Sequence, residues 1–472
     1  MSDPAPLKKS SPFDRSLVEG PISPAVWKLA WPTMVQNFIA GMQGVIDHVL
    51  VGQLIGYTAN AAIGISWQIF LVVIVFMASL FTGQAVLVAR FAGAGDSERV
   101  NRVVQQAALT SIGMFIVMAA VGYFASPRLL DLVNAAPEVK QLALPFLRIS
   151  FIGSIGMLFF FMLTAAMRAA GDARTPLRLG VTMTILNVLL NILLIRGFGP
   201  IPALGTAGSA LGTAIASAAV SVYALWHLFK GDCVIKFSRH MDWRPDWVII
   251  RSLFRFGLPT GVQGIAMNIG GVLLLRFIGS LEQSAAAQAA YAIGYTELFS
   301  MITWTSVGLM GAAATIAGQN LGAGHPERAI AGVHHASRIG LIVAAVVGLA
   351  FVAFPHALLG IFGATEPDVA TLGESLLMYL AVSGFFITTA LVYTGGLQGT
   401  GDTRSPLYIT LLSQVAIPIG LCTLIQSMRP LESSDIWLAI VLGHFTRCVL
   451  SVLRFRQGKW RSIKVEVEGA RA

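Results

Sequence analysis

Long apolar stretches alternate with short polar ones along nearly the whole chain. "FIVMAAVGYF" (115–124) with its flanks and "SRIGLIVAAVVGLAFVAF" (337–354) are two of them. A helix needs about 20 apolar residues to cross a ~30 Å hydrocarbon layer, and these runs have that length. In lipid every backbone donor must be satisfied within the spanning structure, so such runs are helical. The pattern predicts about twelve spans, near 25–53, 61–90, 104–125, 141–169, 177–196 and 207–229, then 250–278, 285–318, 337–355, 371–398, 406–427 and 435–455. The expected fold class is an all-α integral membrane protein. An even number of crossings puts both termini on one side.

Composition agrees with the pattern. The 472 residues are 55% hydrophobic and 12% charged, against roughly 25% charged in soluble domains. The net charge of +9 would suit a nucleic-acid partner, but its placement argues for topology instead. Arg90, Arg99 and Arg102 follow the second span, Arg168, Arg174 and Arg178 surround the fourth connection, and Lys230 to Arg255 fill the sixth. Arg328, Arg338, Arg404 and the run Arg454 to Lys464 continue the series. The alternate connections "IGYTAN" (55–60) and "SLEQ" (280–283) hold no Lys or Arg. Basic loops stay in the cytoplasm, so both termini are expected there, with no cleavable signal peptide. Cys233, Cys422 and Cys448 have neither metal nor disulfide spacing and read as small hydrophobes.

The chain also repeats itself. "AAGDARTP" (169–176) returns as "GTGDTRSP" (399–406), "FAGAGDSERV" (91–100) as "LGAGHPERAI" (321–330), and "WPTMVQ" (31–36) as "LPTGVQ" (258–263). The offsets are 230 (171 to 401), 229 (93 to 322) and 227 (32 to 259), in the same order. Two homologous halves of six spans each share one orientation. A parallel repeat has its pseudo-twofold axis along the membrane normal, and a binding site is expected between the halves. The expected divisions are a tail (1–20), a six-helix lobe (21–229), an inter-lobe loop (230–250), a second lobe (251–456) and a tail (457–472). In the repeated turn Gly171 suits a left-handed helix end. Thr175 is the expected N-cap, Pro176 the first residue of the next helix, and Asp172 and Arg174 an ion pair.

Several ordered motifs carry a family resemblance. Pro32 precedes "VIDHVLVGQLIG" (45–56). After it come "MRAAGDARTP" (167–176), "NVLLNILLI" (187–195), "GTAGSALGTA" (205–214), "GQNLGAGHPERA" (318–329) and "LQGTGDTRSP" (397–406). Across nearly its whole length the chain resembles multidrug and toxic compound extrusion (MATE) transporters of the bacterial type. The resemblance implies a V-shaped pair of six-helix bundles and antiport. Influx of H+ or Na+ would drive efflux of amphipathic, mostly cationic compounds from a cleft between the lobes.

An ionisable group inside a span is a functional candidate by default. Asp47 is such a carboxylate in the first half; it is either a helix-end group near the outer interface, paired with His48 or Arg196, or an ion-coupling residue. The resemblance implies the second. Asn187 and Asn191 share a helical face and suit interhelical hydrogen bonds. The resemblance places them with Asp47 and Thr213 in an oxygen-rich pocket that binds the coupling cation. Many members carry an aspartate where this chain has Asn191, so the pocket holds less negative charge and leans towards protons. Glu297 resembles a glutamate of the eighth span, facing a cationic substrate or serving as a second proton site; a structural glutamate is the alternative. Pro32 is a candidate hinge. Met34, Met42, Trp67, Phe159, Met267, Trp304, Phe386 and Tyr393 are candidate cleft residues, since Met and aromatic side chains re-pack around varied ligands.

The chain shows no metal-spaced His cluster, phosphate-cradling Gly loop or nucleophile elbow, so an enzyme is not expected. "GVHHAS" (332–337) reads as solvated loop. A flippase for a lipid-linked oligosaccharide on a related scaffold is the alternative. It would want a cationic cleft, and Arg148 and Arg276 sit near the outer ends, where they can snorkel. No cofactor beyond the coupling ion is expected. The partners expected are membrane lipid and small organic cations, in a working monomer in the inner membrane of a bacterium.

Overall fold

Among the described residues, twelve long helices account for most of the structure. The computed structural model describes residues 13–54, 57–200, 202–231, 234–237, 242–363 and 366–465; the side chains of 45, 47–54, 57 and 60 lie outside the description. The first half holds α1 (Ile22–Leu54), α2 (Tyr57–Gly93), α3 (Ser97–Leu132), α4 (Pro137–Ala169), α5 (Arg174–Arg196) and α6 (Gly205–Lys230). The second holds α7 (Trp247–Ile278), α8 (Ser284–Gly322), α9 (Pro326–Ala353), α10 (Pro367–Gly399), α11 (Arg404–Met428) and α12 (Ser433–Arg456). Among the described residues, every one from α2 to α12 is long and apolar enough to cross a membrane. Two of them contain π-helical turns, Ala292–Leu298 in α8 and Leu411–Ala416 in α11.

The helices outrun their apolar stretches at the basic end of the bundle. Asp96 caps α3, accepting from the Arg99 amide at 2.9 Å, so the helix begins well before residue 104. Helix α9 begins at Pro326 without a side-chain cap, which corrects the reading of 332–337 as loop: "GVHHAS" is helical, and the His334 ring lies 5.9 Å from that of Tyr393. Hydropathy marks where lipid is, whereas caps mark where the helix is.

The two copies of the repeated turn share one backbone shape. Gly171 has φ +102° and Gly401 φ +97°, the left-handed region that glycine adopts without strain. In each, the aspartate amide bonds back five residues, Asp172 to the Met167 carbonyl and Asp402 to that of Leu397, both at 2.9 Å. The capping differs from expectation. Helix α5 starts at Arg174, Pro176 is its third residue, and the Asp172 carboxylate accepts from the amides of Arg174 and Thr175 at 3.1 and 3.0 Å. Backbone donors thus take the carboxylate that was expected to pair with the Arg174 side chain. Asp402 caps Ser405 likewise and also holds Arg454 of α12 at 2.7 Å.

Within the first half, α4 packs on α2, α3 and α6, and α5 on α1 and α6; within the second, α10 packs on α8, α9 and α12. The segment entering α7 is tied to the first half: Gln105 and Gln106 of α3 donate to the carbonyls of Asp242 and Arg244 at 2.8 and 2.9 Å. Where the halves meet, α2 lies against α7 and α8, and α1 against α8. Leu17 and Trp460 share one buried cluster, so the described segments before α1 and after α12 meet at the same, basic end.

Candidate functional site

A cavity of about 390 Å³ opens inside the first half, walled by α1, α2, α4, α5 and α6 and closed on one side by Trp304 of α8. Gly41 makes room for that indole: a Cβ there would fall 2.2 Å from the Trp304 ring. Phe38 meets the same ring edge-on at 6.3 Å. A second cavity of about 240 Å³ lies between the halves, lined by α1, α2 and α4 on one side and by α8 and Gln398 of α10 on the other. The two share Asn37, Phe161 and Arg168.

Bare backbone seals the basic end of this interface. A Cβ on Gly83 would fall 2.1 Å from the Leu253 carbonyl oxygen, one on Gly93 1.9 Å from that of Gln319, and one on Gly322 2.1 Å from that of Arg90. Small residues let helices in lipid approach this closely, since packing rather than water drives their association. Polar bonds cross the same seam. Gln319 donates to the Ala169 carbonyl at 2.7 Å, and Arg90 to that of Ile463 at 2.8 Å.

The polar pocket expected in the first half is assembled in part. Asn187 donates to the Thr213 hydroxyl at 2.8 Å, and Asn191 to the Asn187 carbonyl oxygen at 3.3 Å. Both asparagines are fully buried, and Thr213 faces the larger cavity. The backbone of Asp47 and His48 belongs to α1, but their side chains lie outside the described residues. Pro32 sits inside α1, where it removes one helical donor. The Thr33 hydroxyl next to it turns back to the carbonyls of Leu29 and Ala30.

Of the candidate cleft residues, Trp67 and Trp304 line the larger cavity. The others line neither cavity. Met34 packs at the α1–α8 contact, where Gly308 comes against it, and Met267 is exposed. Tyr393 is buried against Phe455, 5.5 Å ring to ring. Phe159 packs against the first-half core and Phe386 against Phe445, while Met42 is half-buried. Glu297 lies half-buried in the π turn of α8, with no side-chain partner among the described residues, and lines neither cavity. A single apolar residue carries no sign of its helical phase, and phase decides which of these faces a void.

One residue is missing from the expected set. Arg168, counted above among the loop charges, lies in the last turn of α4, lines both cavities and donates to the Gln36 carbonyl oxygen at 3.1 Å. It is the one charged residue in the described lining. A signal for it existed in the repeat: residue 398, its counterpart, is a glutamine.

The MatE family model matches the chain twice, over residues 32–193 and 259–424. The chain belongs to the MatE family. The double match coincides with the internal repeat. Among relatives of this MATE protein, the "Probable multidrug resistance protein NorM" of Thermotoga maritima is 24% identical over 92% of each chain. The "Multidrug resistance protein MdtK" of Yersinia pseudotuberculosis is 24% identical over 91% of this chain and 94% of its own. A solved structure described as the outward-facing conformation of a multidrug resistance MATE family transporter superposes with a TM-score of 0.87 at 21% identity. It covers 95% of this chain and 98% of its own. The chain is accordingly a multi-pass membrane protein of the MATE fold.

Proposed function

We propose that this protein is a secondary active efflux transporter, an antiporter exchanging H+ or Na+ for amphipathic organic compounds. It would work as a monomer in the inner membrane of a bacterium, with both termini cytoplasmic. The observation that carries the reading is a cavity walled by both halves and sealed at one end by bare helix backbone. Alternating access needs such a seam, since rocking of one half against the other must open it without breaking a core. The basic residues at the sealed end favour a cytoplasmic position for it. The names of the relatives support drug-like cargo, and Trp67 and Trp304 supply adaptable apolar walls.

For the coupling ion we propose the pocket of Asp47 with Asn187, Asn191 and Thr213. Amide and hydroxyl oxygens in place of a second carboxylate favour a proton over sodium. Purified protein in liposomes tests the whole reading, with proton and sodium gradients imposed separately on a fluorescent amphiphile. A proton gradient is expected to drive the probe; flux under sodium alone overturns the proton assignment. No flux under either gradient overturns antiport itself.

A further inference from the structure

We infer that Arg168 forms, with Gln36, a receptor for the oxyanion of an amphipathic ligand, so that the cavities take organic carboxylates, sulfonates or phosphates. The inference rests on the transport reading for the role of the cavities, and it narrows the substrate class.

Among the described residues that line the two cavities, one carries a charge, the Arg168 guanidinium; the side chain of Asp47 lies outside those residues. Of its five N–H donors, the structure shows one used, by Gln36. No carboxylate among the described residues pairs with it. A charge enclosed at the end of a span, as Arg168 is in the last turn of α4, is costly unless it is paired. A planar guanidinium suits an oxyanion, which it grips with two parallel bonds.

The repeat separates this role from a scaffold role. Residue 168 corresponds to 398, 36 to 263 and 180 to 410. In the second half Gln398 donates to the Gln263 carbonyl oxygen at 3.4 Å, and Gln263 donates to the Thr410 hydroxyl at 2.9 Å. The same join between first and fourth helices is therefore made there by neutral groups alone. In the first half glycine stands in place of Thr410: Gly180 lines the larger cavity, 3.5 Å from the Gln36 amide nitrogen by its Cβ position. Having hydrogen where the second half has the threonine side chain leaves the Gln36 amide without that acceptor and opens space beside it. Two donors, one of them charged, then border the same void. Trp67, Phe146, Phe160, Phe161 and Trp304 give that void its apolar walls. About 390 Å³ is within the range of drug-sized sites.

The test is binding, which needs no gradient and so stands whatever the transport assay shows. The full chain in phosphatidylcholine nanodiscs is titrated with three dansyl probes on one alkyl body, ending in a carboxylate, a quaternary ammonium and an uncharged amide. The carboxylate probe is expected to bind the parent protein tightest. Arg168→Gln, which copies the second half, is expected to weaken it by about tenfold to a hundredfold. The other two probes should change by less than about twofold, and Arg168→Lys should keep part of the affinity as a point charge. Tighter binding of the ammonium or amide probe by the parent overturns the inference, even if the variants fail to fold. Equal losses for all three probes in Arg168→Gln overturn it too. Phosphatidylglycerol added to the nanodiscs tells the sources apart: displacement of the carboxylate probe assigns the site to acidic lipid headgroups, and no displacement to free amphiphiles.

Discussion

At the scale of single residues, the two aspartates of the repeated turn have come to differ. Asp172 caps a helix with two backbone bonds, while Asp402 also holds Arg454. Asp172→Ala is expected to cost about 1 kcal/mol, the usual worth of a cap. Asp402→Ala leaves a partly buried guanidinium without its carboxylate and is expected to cost about 2–3 kcal/mol. Thermal inactivation of both variants in one detergent ranks them; equal midpoints would deny the Arg454 pair any weight. Asp47 belongs to the same scale. Asp47→Asn mimics the neutral carboxyl and cannot cycle, and only a difference in affinity between states shifts an equilibrium. It is expected to fold and insert but to lose gradient-driven efflux by about tenfold to a hundredfold. Efflux at the parent rate under the same gradients would remove Asp47 from the coupling proposal.

At the scale of elements, the polar first turns of α9 do more than start a helix. Arg328 donates to the Gly20 carbonyl at 2.8 Å and to the Asn320 side chain at 3.1 Å, and Asn320 donates to the Leu17 carbonyl. The segment before α1 is thereby held across the seam between halves. Arg328→Ala is expected to free it at a local cost of about 1–3 kcal/mol, which speeds protease clipping before Ile22 by roughly tenfold or more. An unchanged clipping rate would show that Leu17 burial alone holds the segment. The apolar runs located α9 but placed its start at 337 rather than 326, because hydropathy is blind to a helix that continues into water behind a proline at its first position.

At the scale of the whole molecule, the seam of glycines makes a contact that a single methyl group should break. Gly93→Ala raises helix propensity by about 1 kcal/mol, yet its Cβ would meet the Gln319 carbonyl oxygen at 1.9 Å. The expected outcome is a lengthened distance between spin labels on Glu98→Cys and His325→Cys, with the helices intact. An unchanged distance would mean that the halves slide to absorb the methyl. The asymmetry of the halves belongs to this scale as well. In the second half the Ser383 hydroxyl bonds to His444, and Phe299 stacks on that ring at 5.7 Å. The first half keeps Thr213, Gly180 and a void.

The amino-acid sequence alone determined the spans, the duplication and the glycine turns. Each of these follows from local composition or from comparing the chain with itself. It also put Asn187 and Asn191 on one helical face by their spacing of four, whereas Thr213 joined them only through the family resemblance. Tertiary structure decided which side chains face a void. Trp67 and Trp304 line one while Met34 and Tyr393 are packed elsewhere, although all four read alike as apolar residues of a span. It also drew Arg168 out of the loop charges and set it against Gln36, 132 residues away in the chain. Such pairings depend on how helices are rotated about their axes and which neighbours they meet, and that is settled by packing between distant segments.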